Sequence, residues 1–269
     1  MNKPASSLRL DRLLANLGYG NRKYIQALAK TGQIRLDGMP LSDAAGKITL
    51  TEDLRERLVV EGETLDPLPG LVLMMHKPTG VTCSHKEAGA LVYDLLPPRW
   101  CARKPAISTV GRLDKDTSGL LLLTDDGALL HQIIAPKNKI TKRYRAALAR
   151  PLNGNEAGIF ASGSLMLEGD EKPLLPAVLE IPAARGGTPN DTLQLEKGRL
   201  PESREPVVFL TITEGRYHQV RRMFAALGNH VTALHRVTIG GLSLPDDLAV
   251  GDYRLLEKAD IERIFNGRS

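Results

Sequence analysis

The sequence predicts an α+β protein: a small helical unit with short strands, followed by a larger unit built on a mixed, mostly antiparallel sheet. Three observations carry this. Leu10, Leu13, Leu14 and Leu17 recur at helical spacing near the N-terminus. A stretch with two prolines and a glycine, Asp66-Pro67-Leu68-Pro69-Gly70, interrupts both helix and strand. Beyond it, apolar runs of strand length outnumber helical patterns and do not alternate with them, which argues against a parallel α/β sheet. With 269 residues the chain has room for one or two domains and a sizeable core.

The first helix is expected within Ser7–Tyr19, with Arg9, Asp11 and Arg12 opposite its leucines and Gly18 and Gly20 ending it. Asn21 can cap a second helix that turns Ile25, Leu28 and Ala29 inward and stops at Gly32. Arg22, Lys23 and Lys30 then project outward. A strand at 33–36, an Asp37-Gly38 turn and a strand at 58–60 complete a unit over residues 1–66. Residues 67–70 read as a linker and 71–269 as the second domain. Its strands are expected at 71–76, 107–110, 120–124, 144–149, 177–181 and 207–213. Its helices are expected at 127–135, near 155–161, at 217–227 and at 258–265. Residues 183–204 look like a polar insertion between two strands.

The formal net charge of +5 is small, but it is unevenly spread. Residues 1–47 carry +5 and residues 71–150 carry +7, whereas 48–70 carry −4 and 151–269 carry −3. Two basic blocks on a nearly neutral chain suit a polyanionic partner. With 11 aromatic residues there is no material for an extended base-stacking surface, so backbone contacts and one or two placed rings must do the binding. No apolar run is long enough to cross a membrane and the N-terminus has no secretory pattern, so a cytoplasmic protein is expected. Cys83 and Cys101 supply neither a disulfide framework nor a CxxC metal spacing.

Three stretches carry chemistry. In GRLDKDTSGLLLLTDDG, residues 111–127, a polar loop holding Asp114 and Asp116 is pinned to an apolar strand, a good place to present one side chain. An aspartate-rich turn holding its own backbone is the alternative. Asp125-Asp126-Gly127 is better explained by one of the two aspartates, Asp125 or Asp126, capping the following helix. In residues 214–236, Val220, Met223, Phe224 and Leu227 form a helical stripe, from which Arg221 and Arg222 leave on different sides. His218, His230 and His235 span a helix, a turn and a strand, which fits RNA contact or plain structure better than zinc. Lys142-Arg143-Tyr144 sets a cation and a ring on one face of a strand. No phosphate-binding glycine loop, serine elbow or cysteine nucleophile with a base is present, so an enzyme made of these parts uses a carboxylate, an arginine and a ring, with no cofactor and no metal.

At these residues the chain resembles the RsuA-type pseudouridine synthases over nearly its whole length. Residues 8–38 look like an S4 RNA-binding module of ααβ type, and LVLMMHKPTGVTCS like the family's first catalytic strand and KPxG turn. GRLDKDTSGLLLLTDDG, KRY and QVRRM match the active-site loop, the Lys-x-Tyr motif and the basic helix. The resemblance implies an S4-like domain followed by a pseudouridine-synthase domain. It implies Asp114 as catalytic aspartate, Tyr144 as the ring against the target uracil and Arg221 as the aspartate's partner. Arg112 and Lys142 are implied in substrate binding, and Arg9, Arg12, Arg22, Lys23, Lys30 and Arg35 in RNA binding. EGRYHQVRRM, GNHVTALHR and KPLLPAVLE point to the small-subunit enzyme, of the type that modifies residue 516 of 16S rRNA. A large-subunit rRNA or tRNA uridine, or a non-catalytic S4-type binding factor, are the alternatives. The implied partner is ribosomal RNA within a partly assembled small subunit, met by a monomer away from membranes.

Overall fold

The computed structural model describes residues 7–182 and 206–266; the polar stretch 183–204 lies outside the described residues. The chain forms two compact units. Among the described residues, the first takes 7–71 with 96–108 and 124–126, and the second 72–95, 109–123, 127–182 and 206–266.

The first unit contains β1 (Ser7–Arg9), α1 (Leu10–Asn16), α2 (Arg22–Lys30), β2 (Ile34–Leu36), β3 (Met39–Pro40), β4 (Lys47–Thr49), α3 (Leu54–Arg57), β5 (Leu58–Val60) and β6 (Glu63–Thr64). The helix expected from Ser7 begins three residues later. Ser7–Arg9 instead pair antiparallel with Lys47–Thr49, so their backbone groups find partners in a ladder. Asn21 caps α2 as expected, its side chain accepting from Tyr24 N at 2.9 Å. Leu13, Leu14, Leu17, Ile25, Ile34, Leu58 and Leu65 are fully buried and make one core with the small sheet β3-β2-β5-β6.

The proline-rich stretch after this sheet is fastened down. Tyr19 Oη accepts from Asp66 N at 3.0 Å, and Arg99 holds the Asp66 carboxylate at 2.7 Å. Arg103 donates to Pro67 O at 2.9 Å and to the Asp125 carboxylate at 2.8 Å, and that carboxylate also takes Gly70 N at 2.7 Å. Both side chains of the Arg103–Asp125 pair are almost completely buried. The Asp125 carboxylate is thus held by the buried guanidinium and Gly70 N. Gly18 is required by the same packing, since a Cβ there would stand 2.3 Å from Arg99 O.

The second unit contains β7 (Val72–Lys77), most of β8 (Ser108–Thr109) and β9 (Thr117–Thr124), whose end residues Ser108 and Thr124 fall in the first, and α4 (Gly127–Ile134), β10 (Lys142–Leu148), α5 (Glu156–Ser162), β11 (Val178–Glu180), β12 (Val207–Ile212), α6 (Gln219–Ala226), β13 (Val231–Ile239), β14 (Leu242–Ser243), β15 (Tyr253–Leu255) and α7 (Lys258–Asn266). The strand order is β11-β12-β10-β13-β9-β7-β15, with β13 parallel to β9 and antiparallel to β10. The sheet is thus mixed and mostly antiparallel, as the sequence predicts. Leu120 to Leu123 are fully buried on both faces of β9, which explains the continuous apolar run. On one face Leu120, Leu122 and Met74 pack with Ile133 of α4 and Ile264 of α7. β13, which holds His235, runs between β10 and β9, and its register against β10 slips between Arg143 and Tyr144.

Candidate active site

The loop before β9 is organised from below by one residue. Lys77, at the end of β7, is 0% exposed, and its ammonium donates to Pro78 O (2.9 Å), Asp114 O (3.1 Å) and Thr117 O (2.9 Å). Thr117 N closes the turn onto Asp114 O at 3.1 Å. Burial lowers the Lys77 pKa from the usual lysine range, while Cys83, Asp116 and Asp114 nearby oppose the change. At the loop's exit Gly119 (φ +104°) lies so close to β13 that a Cβ would sit 2.3 Å from Arg236 O. Backbone on both sides of Asp114 is therefore held, and its side chain is free to project.

Asp114 projects into an open cavity of about 650 Å³ whose walls include Arg112, Thr117, Tyr144, Tyr217 and His218. Its side chain is 28% exposed and its carboxylate faces His218 Nε2 at 3.4 Å. His218 reaches it from a left-handed backbone position (φ 48°) directly before α6. The expected Asp114–Arg221 pair is absent: Arg221 binds Asp116 Oδ2 at 2.8 Å and Val231 O at 2.9 Å. Arg221 sits past the start of α6, abreast of the second acidic residue of the loop, while the residue before the helix meets the first.

Tyr144 lies in β10 between Leu210 of β12 and Arg236 of β13, with its ring on the cavity wall. Buried Arg236 fixes it from behind, donating to Tyr144 Oη at 3.4 Å and to Leu120 O at 2.7 Å. Lys142 is not on the cavity wall. Its ammonium donates to Ile140 O at 3.1 Å, and burial, reinforced by Arg236 and opposed by Glu214, lowers its pKa to about 8. Arg112 is on the wall, exposed, and ion-paired to Glu87 at 3.2 Å.

The cations of the first unit divide in two. Arg9 and Arg22 both bind the buried Asp11 carboxylate, at 2.8 and 3.0 Å, and the Arg9 bonds foremost lower its pKa to about 2. Arg12, Lys23, Lys30 and Arg35 are exposed and make no ion pair among the described residues. Among those residues no group of three His, Cys, Asp or Glu is placed to hold a metal ion, and no helix is long and apolar enough to cross a membrane.

A family model for RNA pseudouridylate synthase matches residues 71–226. The chain is 38% identical over 255 residues to an uncharacterized RNA pseudouridine synthase of Bacillus subtilis, an alignment covering 94% of this chain and 97% of that one. It is 36% identical over 261 residues to ribosomal small subunit pseudouridine synthase A of Vibrio cholerae, covering 96% of this chain and 100% of the relative. A solved structure of a pseudouridylate synthase matches with a TM-score of 0.60 at 34% identity, covering 96% of this chain and 99% of that one. The chain belongs to the RNA pseudouridylate synthase family. A pseudouridine synthase is an isomerase: the N1–C1′ bond of uridine breaks, C5 joins C1′, and the proton lost from C5 is balanced by one gained at N1. In this pseudouridine synthase three residues around Asp114 have roles that the sequence does not announce. In the sequence Lys77 belongs to the KPxG turn after a strand, Arg236 to the GNHVTALHR stretch, and His218 is read as an RNA contact or a structural histidine, none with a stated contact to the Asp114 loop. The signal for Lys77 is a lone cation closing an apolar run, which in a buried strand must find oxygen partners.

Proposed function

We propose that the protein converts a uridine of small-subunit (16S) rRNA into pseudouridine, in the residue-516 manner, with Asp114 as the reacting carboxylate. One observation carries the reading: Asp114 stands in a 650 Å³ cavity, on a loop locked by Lys77, facing a wall that bears Tyr144. A flipped uracil needs such a space and a ring to lie against, and stacking contributes about 1–3 kcal/mol per base. Tyr144 supplies that ring and Arg112 meets the nucleotide at the mouth. Arg221 acts through Asp116, fixing the far side of the loop. The small-subunit target is supported by relatives of that name in Vibrio cholerae and Escherichia coli, 36% and 35% identical over almost the full chain. Arg12, Lys23, Lys30 and Arg35 lie against RNA phosphates, with Arg9 and Arg22 beside them, in a cytoplasmic monomer acting on a partly assembled subunit.

The test is a map of pseudouridines in ribosomal RNA from a strain lacking the gene, complemented by the wild type or by Asp114→Asn. The expected result is one small-subunit pseudouridine that the wild type restores and the variant does not. Loss of a large-subunit or tRNA pseudouridine instead would overturn the target, and restoration by Asp114→Asn would overturn the catalytic assignment.

A further inference from the structure

Tyr217 is 77% exposed, the most exposed large hydrophobic side chain among the described residues, in a chain with 11 aromatics. Its ring lies on the wall of the Asp114 cavity and stacks on His218, with centroids 3.9 Å apart and planes 16° from parallel. His218 in turn faces the Asp114 carboxylate at 3.4 Å, so the stack has a fixed end inside the cavity and an open end outside.

The backbone that displays this ring is tightly held. Arg216, next to it, binds Asp170 (2.7 Å), Glu214 (3.1 Å), Lys172 O (2.7 Å) and Pro173 O (2.6 Å). Its own N–H donates to Gln219 Oε1 at 2.8 Å, and Tyr217 O accepts from Arg222 at 3.3 Å. A loop with this many anchors could bury an aromatic ring. It holds the ring in water instead, with one face packed on imidazole and the other open. Exposed apolar surface of this kind, rigidly presented beside a site, suits a planar partner that covers it on binding.

We infer that Tyr217 is a base-stacking residue: its open face takes an RNA base neighbouring the target, replacing a stacking partner which that base loses when the uridine leaves the helix. The inference rests on the RNA-modifying reading of the cavity. It makes Tyr217 and Tyr144 a division of labour, the buried ring for the target base and the exposed ring for its neighbour. Energetically the exposed ring offsets part of the unstacking that base flipping requires.

The test uses the full chain and a small-subunit rRNA transcript, with substitutions at position 217. Tyr217→Ala should raise KM for the transcript about ten- to hundredfold while kcat stays within about threefold, as expected for one lost base stack. The dependence of binding on salt should not change, because no phosphate contact is removed. Tyr217→Phe and Tyr217→Trp should retain the wild-type KM. The indole emission that Tyr217→Trp adds to that of Trp100, the chain's single native tryptophan, should be quenched when transcript is added. The same quenching should appear in the double variant Asp114→Asn, Tyr217→Trp, which reads stacking without turnover. An unchanged KM in Tyr217→Ala, or an added emission indifferent to RNA in Tyr217→Trp, would overturn the inference. Turnover by the double variant with quenching intact would overturn the catalytic assignment and leave the stacking standing.

Discussion

Two acidic pairs flank the same apolar strand, Asp114 with Asp116 before β9 and Asp125 with Asp126 after it, and they are used in opposite ways. Asp125 is buried, its carboxylate divided between the Arg103 guanidinium and Gly70 N. Asp114 gives its backbone carbonyl to the fold, through Lys77 and Thr117, and keeps its carboxylate in an open cavity. The residue type is the same, and so is the local sequence style. What separates them is the partner: a buried carboxylate with a cation against it stabilises the fold, while one facing space and an imidazole can react.

That contrast can be broken by removing each carboxyl charge with the least change of shape. Asp114→Asn should lower turnover on ribosomal RNA by more than about a thousandfold, with RNA affinity changed less than tenfold and unfolding unchanged; single-turnover assays and filter binding read both. Asp125→Asn should do the reverse, leaving the Arg103 charge buried without its partner. Its expected cost is about 3–5 kcal/mol of stability in urea unfolding, with kcat of the folded protein close to wild type. If Asp125→Asn cost less than about 1 kcal/mol, or if Asp114→Asn unfolded the protein, the division between the pairs would fail.

A third group sharpens the comparison through pH. His235, in β13, bonds Ser118 Oγ at 2.9 Å, and burial, with His76 and Arg145 adding to it, lowers its pKa to about 4. The unfolded chain, with an ordinary histidine near 6.5, binds this proton more readily than the folded one. Its contribution is therefore complete above pH 6.5 and is lost as pH falls towards 4, an upper limit of about 3 kcal/mol. Urea midpoints measured from pH 7 to 4 should show this slope, and His235→Gln should flatten it. Lys77→Met, with a smaller expected cost of about 1–3 kcal/mol, leaves carbonyls of the loop without a donor. It should lower kcat as well as stability, which separates a residue that shapes the site from Asp125, which does not.

The smallest effect concerns the exposed cations. Neutralising Arg12, Lys23, Lys30 or Arg35 singly should reduce the slope of log affinity against log salt by about one each where a phosphate is contacted. Arg9 and Arg22, already shared with Asp11, should give less. Equal effects from all six would erase the distinction between free and paired cations.

Much of this architecture is legible in the sequence because it is local. The four leucines of β9, the stripe of α6 and the Asn21 cap each follow from spacing or from one side chain's reach. The mixed, mostly antiparallel sheet follows from apolar runs that helices do not regularly separate. What escapes is non-local. Ser7–Arg9 become a strand because Lys47–Thr49 lie alongside, and nothing in the first ten residues says so. Asp125 is bound by Arg103, an arginine that precedes the strand by many residues, a pairing its neighbours in sequence do not announce. The resemblance implies Arg221 as the partner of Asp114, and in the fold it meets Asp116 instead, because which of two neighbouring carboxylates faces α6 is set by how the loop and the helix pack.

Lys77 has a consequence for how the site withstands its surroundings. Its ammonium gathers carbonyl oxygens of Pro78, Asp114 and Thr117 into one cluster, the task a bound cation performs in many loops. Here the cation is covalently part of the chain. It arrives with folding, cannot dissociate, and is sealed from bulk ions by the strand that carries it. The shape of the Asp114 loop is consequently set once, at synthesis, and should hold at salt concentrations that strip the protein from its RNA.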